Sequence, residues 1–161
     1  MKKKCIIILL VLVLFIITGC GNKVDESIVK VNDVELHIDK RNEFNGIKYM
    51  ITDDLKEARF DQYVQYYLYQ ESGSNLLFFR IFFYKDKDIK YIKKDLAIDT
   101  NLAEINGKTD NVDYIFIDTK RNDGTIHFYI IKKDNVSYVV NFVSKYDIND
   151  FENRILNSIS F

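Results

Sequence analysis

The stretch Leu76-Leu77-Phe78-Phe79-Arg80-Ile81-Phe82-Phe83-Tyr84 decides the reading of the fold. Arg80 is its one charge, and the other side chains are aliphatic or aromatic. A run of this length and aromatic content predicts a central strand covered on both faces. Upstream, Val64, Tyr66 and Leu68 alternate with Gln65, Tyr67 and Tyr69, and Ser72-Gly73-Ser74-Asn75 between the two runs is turn chemistry. A helix over 55–69 competes, with Phe60, Val64 and Tyr67 on one face. The aromatics Phe60, Tyr63, Tyr66, Tyr67 and Tyr69 favour the strand.

Working outward, Val34, Leu36 and Ile38 alternate with Glu35, His37 and Asp39, and Ile47, Tyr49 and Ile51 with Lys48 and Met50. Asn45-Gly46 marks a turn, so the two runs read as a first hairpin. Charged residues 53–61 read as a loop. Downstream, Ile89, Ile92, Lys93 and Leu96 follow helical spacing within Asp86–Leu96, with Lys93 the polar exception. Asp86 and Asp88 suit the start of that helix, and Lys93 and Lys94 its end. Three strands follow, over Asp113–Lys120, Ile126–Lys132 and Val136–Val143, with turns at Asn122-Asp123-Gly124 and Lys133-Asp134-Asn135. The last element is a helix with Asp147 as N-cap, Asp150 three residues on, and the stripe Ile148, Phe151, Ile155 and Ile159 supported by Leu156. Runs of strands with few helices predict an α+β fold: an antiparallel sheet of about six to seven strands with two packed helices.

The N-terminus carries an address. Lys2, Lys3 and Lys4 precede Ile6–Ile17, twelve residues without a polar side chain. A span needs about 20 apolar residues, whereas the apolar region of a secretory signal is about 7–15 long. Ile17-Thr18-Gly19-Cys20 then resembles the lipobox of bacterial lipoproteins, with Ile17 and Thr18 in place of the commoner Leu and Ala or Ser. The resemblance implies a signal peptide over 1–19, cleavage before Cys20 and a diacylglycerol on its thiol. It further implies a chain held at the extracytoplasmic face of the cell membrane by the Cys20 lipid. Two acyl chains anchor stably, because each buried methylene adds about 0.8 kcal/mol. Residues 20–27 then form the lipidated cysteine and a polar tether, and 28–161 a single α+β domain.

Cleavage sharpens the composition. Removing 19 of the 161 residues leaves 142; three lysines go, so 20 basic face 24 acidic side chains, a net charge of −4. Cys5 leaves with the signal and Cys20 carries lipid, so no free thiol remains for nucleophilic, redox or zinc chemistry. The net charge and the extracytoplasmic address argue against a nucleic-acid partner.

A second resemblance follows from the C-terminal third. Tyr138-Val139-Val140-Asn141-Phe142, then Phe151, then Ile155 to Phe161 with its Ser158-Ile159-Ser160-Phe161 ending, resembles the C-terminus of PsbP-like domains. That family includes many small bacterial lipoproteins. The resemblance implies the family's fold over about residues 30–161 and carries over no functional residue. The proline that members often place at the first hairpin is missing, and Met50-Ile51-Thr52 stands there.

The motifs of catalysis are thin. His37 and His127 lie in separate predicted strands without metal-ligand spacing, and no Gly-x-Ser-x-Gly elbow is present. Gly107-Lys108-Thr109 ends like a phosphate loop, but Leu102 stands where the loop needs its first glycine, so a turn is expected. Asp99-Thr100-Asn101-Leu102-Ala103 starts a calcium loop and breaks at Ala103. Asp53-Asp54, Asp86, Asp88, Asp110, Asp113, Asp147 and Asp150 read as caps and solvated faces. The tyrosine cluster Tyr63, Tyr66, Tyr67 and Tyr69 reads first as core packing; Tyr67 and Tyr69, if exposed together on the solvent side, are the candidate ligand-binding pair.

The expectation is a membrane-anchored, non-catalytic binding or accessory module, without cofactor or metal, that docks an envelope or surface protein. The alternatives are a small-ligand-binding lipoprotein with an aromatic-lined pocket and, third, an acid-pair hydrolase. The hydrolase needs two carboxylates converging at about 5–10 Å.

Overall fold

The computed structural model describes residues 27–71, 74–121 and 124–161. The basic cluster, the apolar run, Cys20 and the tether up to residue 26 lie outside the described residues. So do Ser72-Gly73 and Asn122-Asp123 of two expected turns.

The described chain is mostly antiparallel sheet with two helices, an α+β arrangement. Two hairpins come first: β1 (Ile28–Val31) with β2 (Val34–His37), and β3 (Lys40–Phe44) with β4 (Ile47–Ile51). Next are β5 (Lys56–Phe60), β6 (Val64–Glu71) and β7 (Ser74–Lys85), then helix α1 (Ile89–Asp95). The chain continues through β8 (Ile105–Lys108), β9 (Asp113–Arg121), β10 (Gly124–Lys133) and β11 (Val136–Ser144) to helix α2 (Asn149–Ser158). One seven-stranded sheet runs β5-β6-β7-β11-β10-β9-β8.

The deciding stretch is a central strand, with β6 and β11 as neighbours. Alternation along it serves two cores. Leu77, Phe79 and Ile81 join Tyr129, Ile131, Val140 and Phe142 on one face, beneath both hairpins and α2. Phe82 and Tyr84 turn to the other, where Ile92 of α1 packs on Ile117, Phe128, Ile130 and Val139. Phe79 is the hub of the first core. It is registered between Tyr67 and Phe142, with ring centroids 5.9 and 5.2 Å away. Offset or tilted aromatic pairs of this kind add about 0.5–1.5 kcal/mol beyond the area they bury.

The C-terminal tail closes the hairpin layer. Lys48 and Ser160 exchange both backbone hydrogen bonds, and Met50 N donates to Ser158 Oγ at 2.8 Å. Ile155 and Ile159 are fully buried below.

Several expectations need correction. Val34–His37 does not pair with Ile47–Ile51; it pairs with Ile28–Val31, through a turn in which Asn32 takes φ 56°. Asn45-Gly46 does form a turn, at φ 49° and 87°, but closes β3 onto β4. Both central residues at positive φ match the twist of the flanking strands. Residues 56–60, expected as loop, form the edge strand β5, exposed throughout. Their charges reflect an edge, where polar side chains protect unpaired backbone.

Residues 105–108, expected as a turn, form the opposite edge strand β8. Gly107 lets the Tyr114 ring lie across the backbone there: a Cβ would stand 2.3 Å from its Cε2. The final helix begins two residues after Asp147. Ile148 is its N-cap and makes no side-chain cap, while Asp147 Oδ1 accepts from Asn149 N at 3.0 Å. Burying Ile148 on the core displaces the polar cap by one position. The first helix, expected over Asp86–Leu96, starts three residues later at Ile89: Asp86 takes φ 55° ahead of it, and Asp88 is the N-cap, its carboxylate accepting from Tyr91 N at 2.7 Å.

Candidate functional site

The tyrosine pair is placed differently from the expectation. Tyr67 is buried: its hydroxyl accepts from Asn42 Nδ2 and lies 3.2 Å from the Tyr49 hydroxyl, and its ring stacks on Phe79. Tyr69 is half-buried against the same core. The face of β6 read as solvent-facing is the core face, and Gln65 on it is fully buried, accepting from the Tyr49 hydroxyl. The exposed recognition pair is therefore not formed. The tyrosines that do reach solvent in this region are Tyr63, 62% exposed, and Tyr91, 46% exposed.

Tyr63 and Tyr91 share a cleft of about 460 Å³ between the β5–β6 turn and α1. Phe82 and Tyr84 line it, and Arg59 and Asp61 stand at its side. Arg59 is held by two hydrogen bonds, Nε at 2.9 Å and a terminal nitrogen at 2.7 Å, to one Asp61 oxygen. The other Asp61 oxygen accepts from the backbone of Tyr63 and Val64, and these amides, with Arg59, keep its carboxyl below the usual range. The Tyr84 hydroxyl donates to Asp95 at 2.7 Å. Burial, with that carboxylate, pushes it above the ordinary tyrosine value.

The convergent titratable cluster is elsewhere, beneath α2. His127 and Tyr129 stand two residues apart on β10, so they share a face. Asp118 of β9 is the cross-strand partner of His127. Glu152 comes down from α2 with 1% exposure. Its carboxylate accepts from the Tyr129 hydroxyl at 2.7 Å, and both its oxygens lie 2.8 Å from His127 Nδ1. The far nitrogen, Nε2, faces Asp118 Oδ1 at 3.8 Å, and that oxygen is buried without a hydrogen bond. Phe116 closes one side edge-on, at 5.0 Å. Burial first, and the Glu152 charge second, raise the Tyr129 hydroxyl well above its ordinary value. A cavity of about 410 Å³ adjoins the cluster, lined by His127, Asp118, Thr125 and Lys145 among others.

A histidine oriented by a buried carboxylate is one half of a general-base arrangement. The other half is a hydroxyl, thiol or water site at Nε2. Here the side chain facing Nε2 is a carboxylate. Glu152, His127 and Tyr129 instead tie α2 to the sheet by charge-assisted hydrogen bonds.

Sequence reasoning reached His127 only as a lone histidine and did not reach Glu152 at all. The signal was present: Glu152 is four residues from both Ile148 and Leu156, so it shares their buried stripe. Asp53, Asp54, Asp86 and Asp99 serve local structure. Asp53 pairs with Lys40 at 2.6 Å, Asp54 accepts from Thr52, Asp99 from Asn101 N, and Asp86 from Asn135. His37 is exposed on β2. Among the described residues, no group of three His, Cys, Asp or Glu side chains is arranged to hold a metal ion.

No protein-family model matches the chain, and no curated protein matches it. A solved structure from Bacteroides thetaiotaomicron VPI-5482 aligns with 71% of this chain at 14% identity and a TM-score of 0.49. The chain spans 44% of that protein's length. A likeness of this extent carries no argument about fold or function.

Proposed function

We propose that the chain is a lipid-anchored, extracytoplasmic lipoprotein whose 28–161 domain is a PsbP-like, non-catalytic binding or accessory module. The observation that carries this reading is the order of Lys2–Lys4, the apolar run Ile6–Ile17 and Ile17-Thr18-Gly19-Cys20 ahead of a sheet-rich domain. Element order supports the PsbP-like part: strands, helix, a strand meander, and a final helix whose Ser158–Phe161 tail returns to β4. Two features favour structural roles for the carboxylates. The converging acids Asp118 and Glu152 both face His127, and Glu152 already holds two donors. The remaining acids with assigned contacts serve turns, caps and surface pairs.

Cys20→Ala with membrane fractionation tests the anchor. The wild type is expected in the membrane fraction in a processed form, and the variant is expected unprocessed. If wild type and variant remain equally membrane-bound and equally unprocessed, the lipoprotein reading fails.

The small-ligand alternative is favoured by one observation, the cleft bounded by Tyr63 and Tyr91. Its volume falls in the range of about 300–1,000 Å³ common to small-molecule sites. Saturation-transfer NMR against a panel of amino sugars and nucleosides tests it. Transfer that Tyr63→Ala abolishes supports this alternative, and transfer to none of the probes counts against it.

A further inference from the structure

The face of the sheet that carries α1 is only partly covered. Register places its side chains in rows across four neighbouring strands. Val64, Phe82, Val139 and Ile130 form one row, and three of the four are buried near α1. The next row is Tyr66, Arg80, Asn141 and Phe128, and the third is Leu68, Phe78, Val143 and Ile126. With strands about 4.8 Å apart, each row is about 15 Å wide. Tyr66, Leu68, Phe78 and Val143 are half-buried and belong to neither core.

Arg80 stands within this apolar ground. Its Nε donates to Asn141 Oδ1 at 2.8 Å, and Asn141 is itself fully buried and anchored to the His127 carbonyl at 2.9 Å. The guanidinium carbon lies 5.8 Å from the Tyr66 ring centre and 5.7 Å from that of Phe82. Arg80 forms no ion pair among the described residues. A cation removed from water without an anion is costly, and partly buried arginines are normally paired. Desolvation here lowers the guanidinium's proton affinity below its ordinary value. The hydrogen bond to Asn141 fixes one edge of the fork and leaves the terminal nitrogens to bind a carboxylate side-on. Across these rows the composition is that of an interface centre, tyrosine, phenylalanine and arginine, and Lys56 and Arg59 of β5, opposite Leu68 and Tyr66, stand at its polar rim.

We propose that this face docks a partner protein of the envelope that presents one carboxylate side chain ringed by apolar side chains, with Arg80 receiving the carboxylate. The proposal rests on the accessory-module reading and names the surface that reading requires. A two-fold pair of identical faces would bring two Arg80 guanidiniums into one interface with no carboxylate from these three rows to receive either, so it is disfavoured.

The test places a benzophenone side chain at Leu68 of the full-length, membrane-bound protein and irradiates the cells that make it. The expected result is one discrete adduct, whose cross-linked partner peptide lies beside an aspartate or glutamate among apolar residues. Arg80→Glu should reduce its yield at least tenfold, and Arg80→Met should reduce it while keeping the aliphatic packing. Changing the partner's acid to arginine should restore the adduct with Arg80→Glu. A thermal melt of each variant confirms that it is folded. An unchanged yield in Arg80→Glu, an adduct only with a second copy, or no adduct overturns the proposal. Fractionation of Cys20→Ala reads the anchor independently, so adduct loss in protein that remains in the membrane fraction separates the two failures.

Discussion

The Tyr129 hydroxyl sits 2.7 Å from Glu152 Oε2, joining β10 to α2 through a carboxylate that is 1% exposed. Removing the hydroxyl leaves the buried carboxylate dependent on His127 alone. Tyr129→Phe is expected to cost about 1–3 kcal/mol, the penalty of an under-satisfied buried polar group. Glu152→Gln is expected to destabilise as well, and the double variant to lose less than the two single losses together, because the residues share one network. Urea unfolding midpoints at an unchanged slope measure all three.

The same burial predicts alkaline sensitivity. Tyr49 and Tyr129 hydroxyls are both raised well above the ordinary tyrosine value, by desolvation first and then by their neighbours. A raised value in the folded state means that the unfolded chain loses its phenolic protons first. The contribution is complete below about pH 10 and declines above it by about 1.4 kcal/mol per pH unit for each such group. Unfolding midpoints from pH 8 to 11.5 should show this fall, and Tyr49→Phe should flatten it. A profile unchanged by that substitution would refute the assignment.

Much of the fold could be read from period and turn chemistry. The strand at 76–84, the meander after residue 113 and both helices follow from alternation, aromatic content and 3.6-residue spacing. What alternation does not contain is which face is the core when both faces carry aromatics. Along β6, Tyr66 and Tyr67 are chemically alike, yet Tyr67 stacks on Phe79 while Tyr66 meets Arg80. The choice comes from the two hairpins that cover one side, a tertiary fact. Pairing partners are hidden for the same reason: β2 joins β1 because Asn32 can turn the chain within two residues. Arg80 was visible in the sequence as the one charge of an apolar run. Its lack of an acid partner could be seen only once β6, β7 and β11 were set side by side.

Gly107 carries a sterically specific prediction. Its missing side chain is occupied by the Tyr114 ring, with Cε2 2.3 Å from an ideal Cβ. Gly107→Ala should force the far end of the ring aside into the adjoining cavity and cost about 1 kcal/mol, the low end of overpacking. Tyr114→Ser in the same chain should recover part of that loss, since it vacates the space. If Gly107→Ala alone leaves the thermal midpoint unchanged, the ring does not cover this strand.

Lys93 poses the opposite question on the other face of the sheet. The helical spacing of α1 forces it onto the buried stripe beside Ile92, and it is 3% exposed. Its ammonium finds Glu104 at 2.7 Å and the Leu102 carbonyl at 3.5 Å, so the loop after α1 folds back to neutralise it. Glu104 is 41% exposed, so water screens the pair and limits what the contact contributes. Removing the acid strands a buried cation, and Glu104→Ala should cost about 1–2 kcal/mol, less than for a fully buried pair. Removing the cation leaves only an exposed carboxylate, and Lys93→Met of similar length should be neutral or stabilising. The asymmetry is the test: equal losses from both substitutions would show that the ion pair itself, rather than relief of a buried charge, holds the loop to the helix.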